Sequence, residues 1–378
     1  MNSDYQELYS RQMRLPQVGE DGQRALLGAK VLLIGAGGLG SPAALYLAAA
    51  GVGVIGIADP DRVELSNLHR QVLHSFDTLG LPKTVSAAEA LAALNPGLRV
   101  ALYPEGLTPA NALELVRRYD VVVDGADNFA TRFLASDAAV LAGKPLVHGS
   151  ILQETGQVGV FLPKQGCYRC LYPQLPDATS APTCGEAGVL GATCGVIGAW
   201  MASEVLAVIL GQRQQSRLSL INLGAGVART LTVTPDVRCS ACSSQATLRA
   251  INPADYAPSC APVPTSSSMS ETLPIEVSVE EVVRLRATNP QTILLDVREP
   301  SEVALCQMGA THHIPLGQLG ERWAELPKDV PILIHCHHGG RSMRATQFLR
   351  SKGLGAVSNV AGGIEAWSCR IDPKVPRY

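Results

Sequence analysis

Residues 31–40 read VLLIGAGGLG, and their reading decides the fold. Four apolar residues, Val31 to Ile34, run straight into a turn in which Gly35, Gly37, Gly38 and Gly40 spell G-x-G-G-x-G, a pattern that contains G-x-G-x-x-G. The apolar, alanine-rich segment 43–50 follows as a helix. Strand, tight turn and helix in that order set bare backbone N–H groups and a helix N-terminus under a phosphate. Asp59 stands nineteen positions past Gly40, after a second apolar run at 54–58. That is where a carboxylate meets ribose hydroxyls in a doubly wound sheet. A nucleotide site is expected, and the turn alone leaves open whether the nucleotide is an oxidoreductase's dinucleotide.

Outward from this turn, 378 residues predict two or three domains, and 46% apolar against 17% charged residues are enough for sizeable cores. The net charge of −2 excludes a non-specific nucleic-acid or membrane-surface binder, so neither partner is expected. The opening MNSDYQELYSRQMRLP carries charges and no apolar run, so no signal peptide is expected. The most apolar segment, 194–210, carries Glu204 and reads as a core or interface helix rather than a membrane span. Ten cysteines without a leader point to a reducing cytoplasm, with metal binding and catalysis favoured over disulfides.

Residues 1–30 read as a helical lead-in. From Val31 strands and helices alternate: strands at 54–58, 99–103, 120–123 and 145–148, helices at 82–94, 108–118 and 131–142. Such alternation predicts a parallel sheet covered by helices. The style then changes, with antiparallel strands expected in 156–162 and 218–233. Residues 251–274, INPADYAPSCAPVPTSSSMSETLP, read as a flexible linker rich in Pro and Ser. A smaller α/β unit is expected over 275–378, with helices at 279–287 and 343–352 and strands at 292–297 and 331–335.

Two C-x-x-C turns, Cys167–Cys170 and Cys239–Cys242, offer four thiolates for a tetrahedral zinc. The 68 residues between the pairs require the fold to bring them together. A redox dithiol and incidental cysteines are the alternatives. Asp59, Asp61, the string LSNLHRQ (65–71), Lys83 and DGADN (124–128) fall at or after expected strand ends, the ligand side of an open α/β sheet. Cations beside a nucleotide suit phosphate charge that changes during a reaction. Carboxylates there suit Mg²⁺. Hydride transfer needs neither.

Together GAGGLG, the Asp59-Pro-Asp61 strand end, LSNLHRQ, Lys83, DGADN, the paired C-x-x-C turns and TCGEAGV (183–189) resemble the MoeB/ThiF family over roughly residues 5–248. These are adenylating enzymes related to ubiquitin-activating enzymes, so the resemblance implies a Rossmann-like sheet with a C-terminal antiparallel part. It also implies ATP-dependent adenylation of the C-terminal Gly-Gly carboxylate of a small ubiquitin-like sulfur carrier. In the roles it implies, Gly37 and Gly38 approach the phosphates and Asp59 binds ribose. Asn67, Arg70 and Lys83 contact the triphosphate. Asp127 holds Mg²⁺, with Asn128 beside it in the same site. Arg11, in YSRQM, resembles the arginine that reaches into a partner subunit's site, which implies a homodimer. Cys184 matches a cysteine that bonds covalently to the carrier or to a sulfur donor.

The loop HCHHGGRS, residues 335–342, follows an apolar strand and leads into a helix. Successive N–H groups and the helix N-terminus can cradle a thiolate or persulfide on Cys336. Six residues run from Cys336 to Arg341, a length that favours sulfur over a tetrahedral oxyanion. This loop, DVREPSE (296–302) and GGIEAW (362–367) are similar to rhodanese sulfurtransferases, with Cys336 and Arg341 as candidate catalytic residues. The expected layout is a MoeB/ThiF-like adenylation domain (1–250), the linker, and a rhodanese-like domain (275–378). The fusion resembles the molybdopterin-synthase adenylyltransferase/sulfurtransferase family, which serves molybdenum cofactor synthesis. A cysteine desulfurase is the kind of upstream sulfur donor implied. Some relatives instead use the Cys184 thioester for protein conjugation, which stays as an alternative.

Overall fold

In the computed structural model, residues 3–176, 188–256, 273–328 and 330–378 are described. They divide into two compact units, Met1–Cys260 and Ala261–Tyr378. The first is built on β1 (Lys30–Ile34), β2 (Val54–Ala58), β3 (Arg99–Tyr103), β4 (Val121–Asp124), β5 (Leu146–Leu152), β6 (Thr155–Phe161), β7 (Arg217–Asn222) and β8 (Val227–Thr232). They form one sheet in the order β3-β2-β1-β4-β5-β6-β7-β8. The first five are parallel and the last three antiparallel.

The two-residue period of β1 explains the layers. Val31 and Leu33 face a core with Ala43, Leu47, Ile55 and Ile197, while Leu32 and Ile34 face Leu115, Val122 and Phe133 on the other side. Both faces are covered, so the strand reads as an unbroken apolar run rather than an alternation. Chain order reverses across the sheet between β1 and β4, which opens a crevice at their carboxyl ends.

The helix Gly191–Ile209 packs across β5, β6 and the helix Gly40–Ala49. It is long and apolar enough to cross a membrane by length and composition alone, and half of it is buried in this unit. A Cβ at Gly198 would lie 2.4 Å from Leu39 O, so glycine permits the close helix approach. Burial pushes the Glu204 carboxyl up, but hydrogen bonds from Arg213 (2.7 Å), Arg217 and Trp200 (3.0 Å) more than offset it and leave it below its ordinary value.

The expected linker begins with ordered chain. Ile251 packs on the core, and buried Tyr256 donates to Asp137 Oδ2 at 2.7 Å. Asp137 is fully buried and also takes both arms of Arg169 at 2.7 Å, so one carboxylate ties the first C-x-x-C turn and the chain's exit to the helix Phe129–Ala142. Two apolar anchors were hidden in a Pro/Ser-rich composition. Residues 257–272 lie outside the described residues.

The second unit holds β9 (Glu276–Val277), β10 (Ile293–Asp296), β11 (His312–His313), β12 (Ile332–His335) and β13 (Val357–Val360), in the order β11-β10-β12-β13-β9 and all parallel. Cys336 follows central β12, and the helix Gly340–Ser351 begins four residues later.

Candidate functional site

The crevice between β1 and β4 is a cavity of about 420 Å³, a size suited to a small ligand. Its floor is the glycine turn. Gly35 has φ +84°, and a Cβ at Gly40 would lie 1.8 Å from Gly35 O, so these two glycines are demanded by the turn itself. Gly37 and Gly38 line the opening. Asp59 sits at the end of β2 with one carboxylate oxygen accepting from Ala36 N–H (2.7 Å) and the other from Asp61 N–H (2.8 Å). Burial pushes its carboxyl up, against the pull of Lys83 and the two amides.

Lys83 opens the helix Lys83–Leu94, is 5% exposed, and meets Asp61 at 2.7 Å. Arg70 lines the same cavity and donates to Ser66 O at 2.7 Å. Asp127 stands exposed at the rim, where β4 gives way to the next helix. Asn128 also lines the rim, and its side chain caps that helix by accepting from Thr131 N–H at 2.9 Å. Asn67 does not line the cavity. It is buried in a short turn, donating to Ser66 Oγ at 3.2 Å, while its carbonyl accepts from the N–H groups of Arg70 and Gln71. Arg11 is exposed in the short helix Ser10–Met13 and also lies outside the lining.

Sequence reasoning passed over Arg132, which is buried in the cavity wall and donates to Ala126 O at 3.1 Å. Its only sequence signal was a charge on a mostly apolar helix. Gln71, the end of LSNLHRQ and given no role of its own by the sequence, also lines the cavity, and its Oε1 is buried without a protein partner among the described residues. Asp124 serves the wall instead of the ligand. It accepts from Ala126 N–H (3.0 Å) and pairs with His148 Nδ1 (2.8 Å), and burial lowers the His148 pKa. A second groove, lined by Arg132, Gln157, Tyr172 and Leu220, shares Asp127, Arg132 and Ile151 with the nucleotide cavity.

The four cysteines of the two C-x-x-C turns converge, with every sulfur within 4.8 Å of the others. The sulfurs of Cys167 and Cys239 are 3.5 Å apart, and those of Cys170 and Cys242 are 3.3 Å apart. A tetrahedral ion with bonds of about 2.3 Å sets its sulfurs about 3.8 Å apart, so the set fits one. Cys170 Sγ accepts from Cys167 N–H and Asp236 N–H, and Cys239 Sγ from Ala241 N–H, each at 3.4 Å. Such N–H groups stabilise thiolate charge. Burial and the neighbouring sulfurs push the Cys242 thiol up to about 12, a cost that a bound cation reverses.

In the second unit, Cys336 is 1% exposed, and its sulfur accepts from Gly339 N–H (3.2 Å) and Ser342 Oγ (3.3 Å). Gly339 holds φ +100°, the bend that turns its amide onto the sulfur. Arg341 closes the loop as a bidentate partner of Glu302, both contacts at 2.6 Å. Although burial pushes Glu302 up, the hydrogen bonds from Arg341 and its neighbours hold it at about 2. His337 and His338 stack face to face instead of converging on a metal. Cys184 lies outside the described residues.

A glycine-turn cavity ringed by cations, with a cradled thiol on a separate α/β unit, defines an enzyme that spends a nucleotide and carries sulfur. Residues 9–243 match the ThiF family and residues 278–369 the rhodanese-like domain. The adenylyltransferase and sulfurtransferase MOCS3 of Bos taurus is 42% identical, over 98% of this chain and 87% of that protein. Its namesake from Aedes aegypti is 39% identical, over 100% of this chain and 90% of that one. Among solved structures, E. coli MccB with MccA-N7isoASN aligns at a TM-score of 0.56 and 23% identity, over 64% of this chain and 76% of that one, a likeness of fold. The chain belongs to the ThiF family, joined to a rhodanese-like domain, and is an adenylyltransferase and sulfurtransferase.

Proposed function

We propose that the first unit adenylates the C-terminal Gly-Gly carboxylate of a small ubiquitin-like sulfur carrier, and that the second delivers sulfur to it from Cys336. The observation that carries this reading is the gathering of Arg70, Lys83, Arg132 and Asp127 around one glycine turn. A carboxylate nucleophile is already ionised at neutral pH and needs no general base. It attacks the α-phosphorus of ATP, the bond to pyrophosphate breaks, and an acyl-adenylate forms. The protein has then to orient the α-phosphate and offset the charge of the leaving group, which is work for backbone N–H groups and cations. Asp59 would take the ribose hydroxyls. Asp127 would hold a Mg²⁺, an ion that commonly takes one or two carboxylates and that would supply positive charge to the phosphates. The adjoining groove through Tyr172 and Leu220 supports an extended carrier tail reaching the α-phosphate.

The sulfur step follows from the thiol loop. The terminal sulfur of a Cys336 persulfide, loaded by a donor such as a cysteine desulfurase, attacks the acyl carbon and AMP leaves. The resulting acyl disulfide is cleaved by a second thiolate. This releases the carrier thiocarboxylate and leaves a disulfide between Cys336 and that thiol, with Cys184 as the candidate. The test supplies ATP, Mg²⁺, a carrier ending in Gly-Gly and a desulfurase with cysteine, and weighs the carrier by mass spectrometry. A thiocarboxylate is the expected product. A carrier–lysine conjugate in its place would transfer the assignment to the Cys184 thioester and protein conjugation.

The four-cysteine cluster is assigned to structural zinc, because four converging thiolates fill a tetrahedral shell and leave no open ligand position for chemistry. Treating the folded enzyme with a thiol-reactive mercurial should release one zinc per chain into a colorimetric chelator and lower the melting temperature of the first unit. Metal-free protein with an unchanged melting curve would refute the assignment.

A homodimer is part of the proposal. The segment that carries Arg70 also exposes Leu65, Val72 and Phe76, each more than 60% accessible. An apolar surface of that kind suits burial by a second copy, whose Arg11 would complete the cavity. Cytoplasmic residence is proposed too, since carrier thiols need a reducing compartment. Cell fractionation that finds the protein outside the cytoplasm would remove that element.

A further inference from the structure

One side chain grips the sulfur-transfer loop at both ends. The ring of Tyr378 stacks on His337, the residue after Cys336, with centroids 4.3 Å apart and planes 8° from parallel. His337 in turn stacks on His338 at 3.9 Å. The Tyr378 hydroxyl accepts from Arg298 Nη1 at 2.9 Å and donates to Glu302 Oε1 at 3.1 Å. Glu302 is the carboxylate that receives both arms of Arg341, the last residue of the six. The far end of this relay is rigid. Arg298 is completely buried, bonded to Asp296 at the end of β10 (2.6 Å) and to Cys306 O (2.9 Å). A phenol carries one O–H donor and acceptor lone pairs, so it can sit between a cation and a carboxylate where phenylalanine cannot. Burial pushes its pKa up to about 12, which keeps the donor proton in place at neutral pH.

We propose that Tyr378 is a positioning residue for sulfur transfer, bracing His337 with its ring and, through Glu302, holding Arg341 at the other end of the Cys336 loop. The inference rests on the reading of Cys336 as the sulfur carrier. Loop geometry matters because one cradle donor, Gly339 N–H, lies between those two braced residues and the other, Ser342 Oγ, directly follows the second. A loop relaxed by a fraction of an ångström mis-aims them, and misplacement of that order slows chemistry more than it weakens binding.

Full-length enzyme is assayed with thiosulfate as donor and cyanide as acceptor. The Cys336 thiolate attacks the outer sulfur, the S–S bond breaks and sulfite leaves with the electron pair. Cyanide carbon then takes the terminal sulfur as thiocyanate and returns the thiolate. Tyr378→Ala should lower kcat roughly ten-fold while the KM for thiosulfate moves less than about two-fold. Tyr378→Phe keeps the ring and should recover part of the loss. If the hydroxyl acts through Glu302, Tyr378→Phe and Glu302→Gln must be non-additive in the double variant. A wild-type kcat in Tyr378→Ala, or strict additivity in the double variant, overturns the proposal. Wild-type enzyme that releases no thiocyanate marks the failure of the Cys336 reading instead, before any variant is compared.

Discussion

Cys336→Ala should exchange pyrophosphate into ATP at the wild-type rate, in the presence of carrier, and form no thiocarboxylate. The nucleophile is removed outright, so transfer should fall by about a thousand-fold or more. Exchange should survive because the adenylation residues belong to the other compact unit, with its own cores on both faces of the sheet. Replacing the buried CH2SH by a methyl group removes one heavy atom just past the end of β12 and leaves the strand ladder intact, so the folded state should persist. Isotope exchange measured beside mass spectrometry of the carrier reads both halves in one sample. Loss of exchange in a folded Cys336→Ala enzyme would break the division of labour between the units.

Lys83→Ala should reduce exchange by about 10²–10³-fold, the scale seen when one preorganised charge is withdrawn from a transition state that needs it. Lys83 is the strongest candidate because its side chain is 7% exposed and its ammonium is held by an exposed Asp61, at 2.7 Å, on the cavity wall. A cation desolvated in this way acts on phosphate more strongly than one in water. Mixing subunits carries the test to the proposed dimer. An Arg11→Ala subunit paired with a Lys83→Ala subunit rebuilds one complete site if Arg11 acts across the interface. Random mixing should then restore about a quarter of wild-type exchange. No restoration, with dimers confirmed by sedimentation, would return Arg11 to its own subunit, and full exchange in Arg11→Ala alone would leave it no role. Full activity in Lys83→Ala would remove the lysine from the adenylation step.

The parts of this enzyme that sequence reading reached are those written in local geometry. Four glycines at fixed spacing after an apolar run mark a turn, because a side chain at Gly40 would collide with Gly35 O. HCHHGGRS marks a thiolate cradle because its amides and helix start are consecutive in the chain. Elsewhere local pattern pointed the wrong way or was silent. β13, with the polar Ser358 and Asn359 in a fully buried strand, did not read as a strand. Ser358 Oγ donates to Pro274 O at 2.5 Å and Asn359 Nδ2 to Glu276 at 2.6 Å, partners more than eighty residues away. Asn67, to which the family resemblance gives a triphosphate contact, is buried in a tight turn with its side chain donating to Ser66 Oγ, a placement the sequence did not show. Arg132 gave no more than a charge on a mostly apolar helix, since burial in a cavity wall is a property of the packed helix.

By itself the sequence determined that the chain binds a nucleotide on a strand–turn–helix unit, owns two C-x-x-C turns and presents a cradled cysteine. Each of these follows from backbone freedom and spacing within about ten residues. Only the tertiary structure decided that the two turns, 68 residues apart, bring four sulfurs within 4.8 Å. It alone set Arg132 and Lys83 in the wall of one cavity and laid Tyr378 over the Cys336 loop. Contacts of that kind are fixed by which faces the cores bury, and the cores form only when distant segments pack.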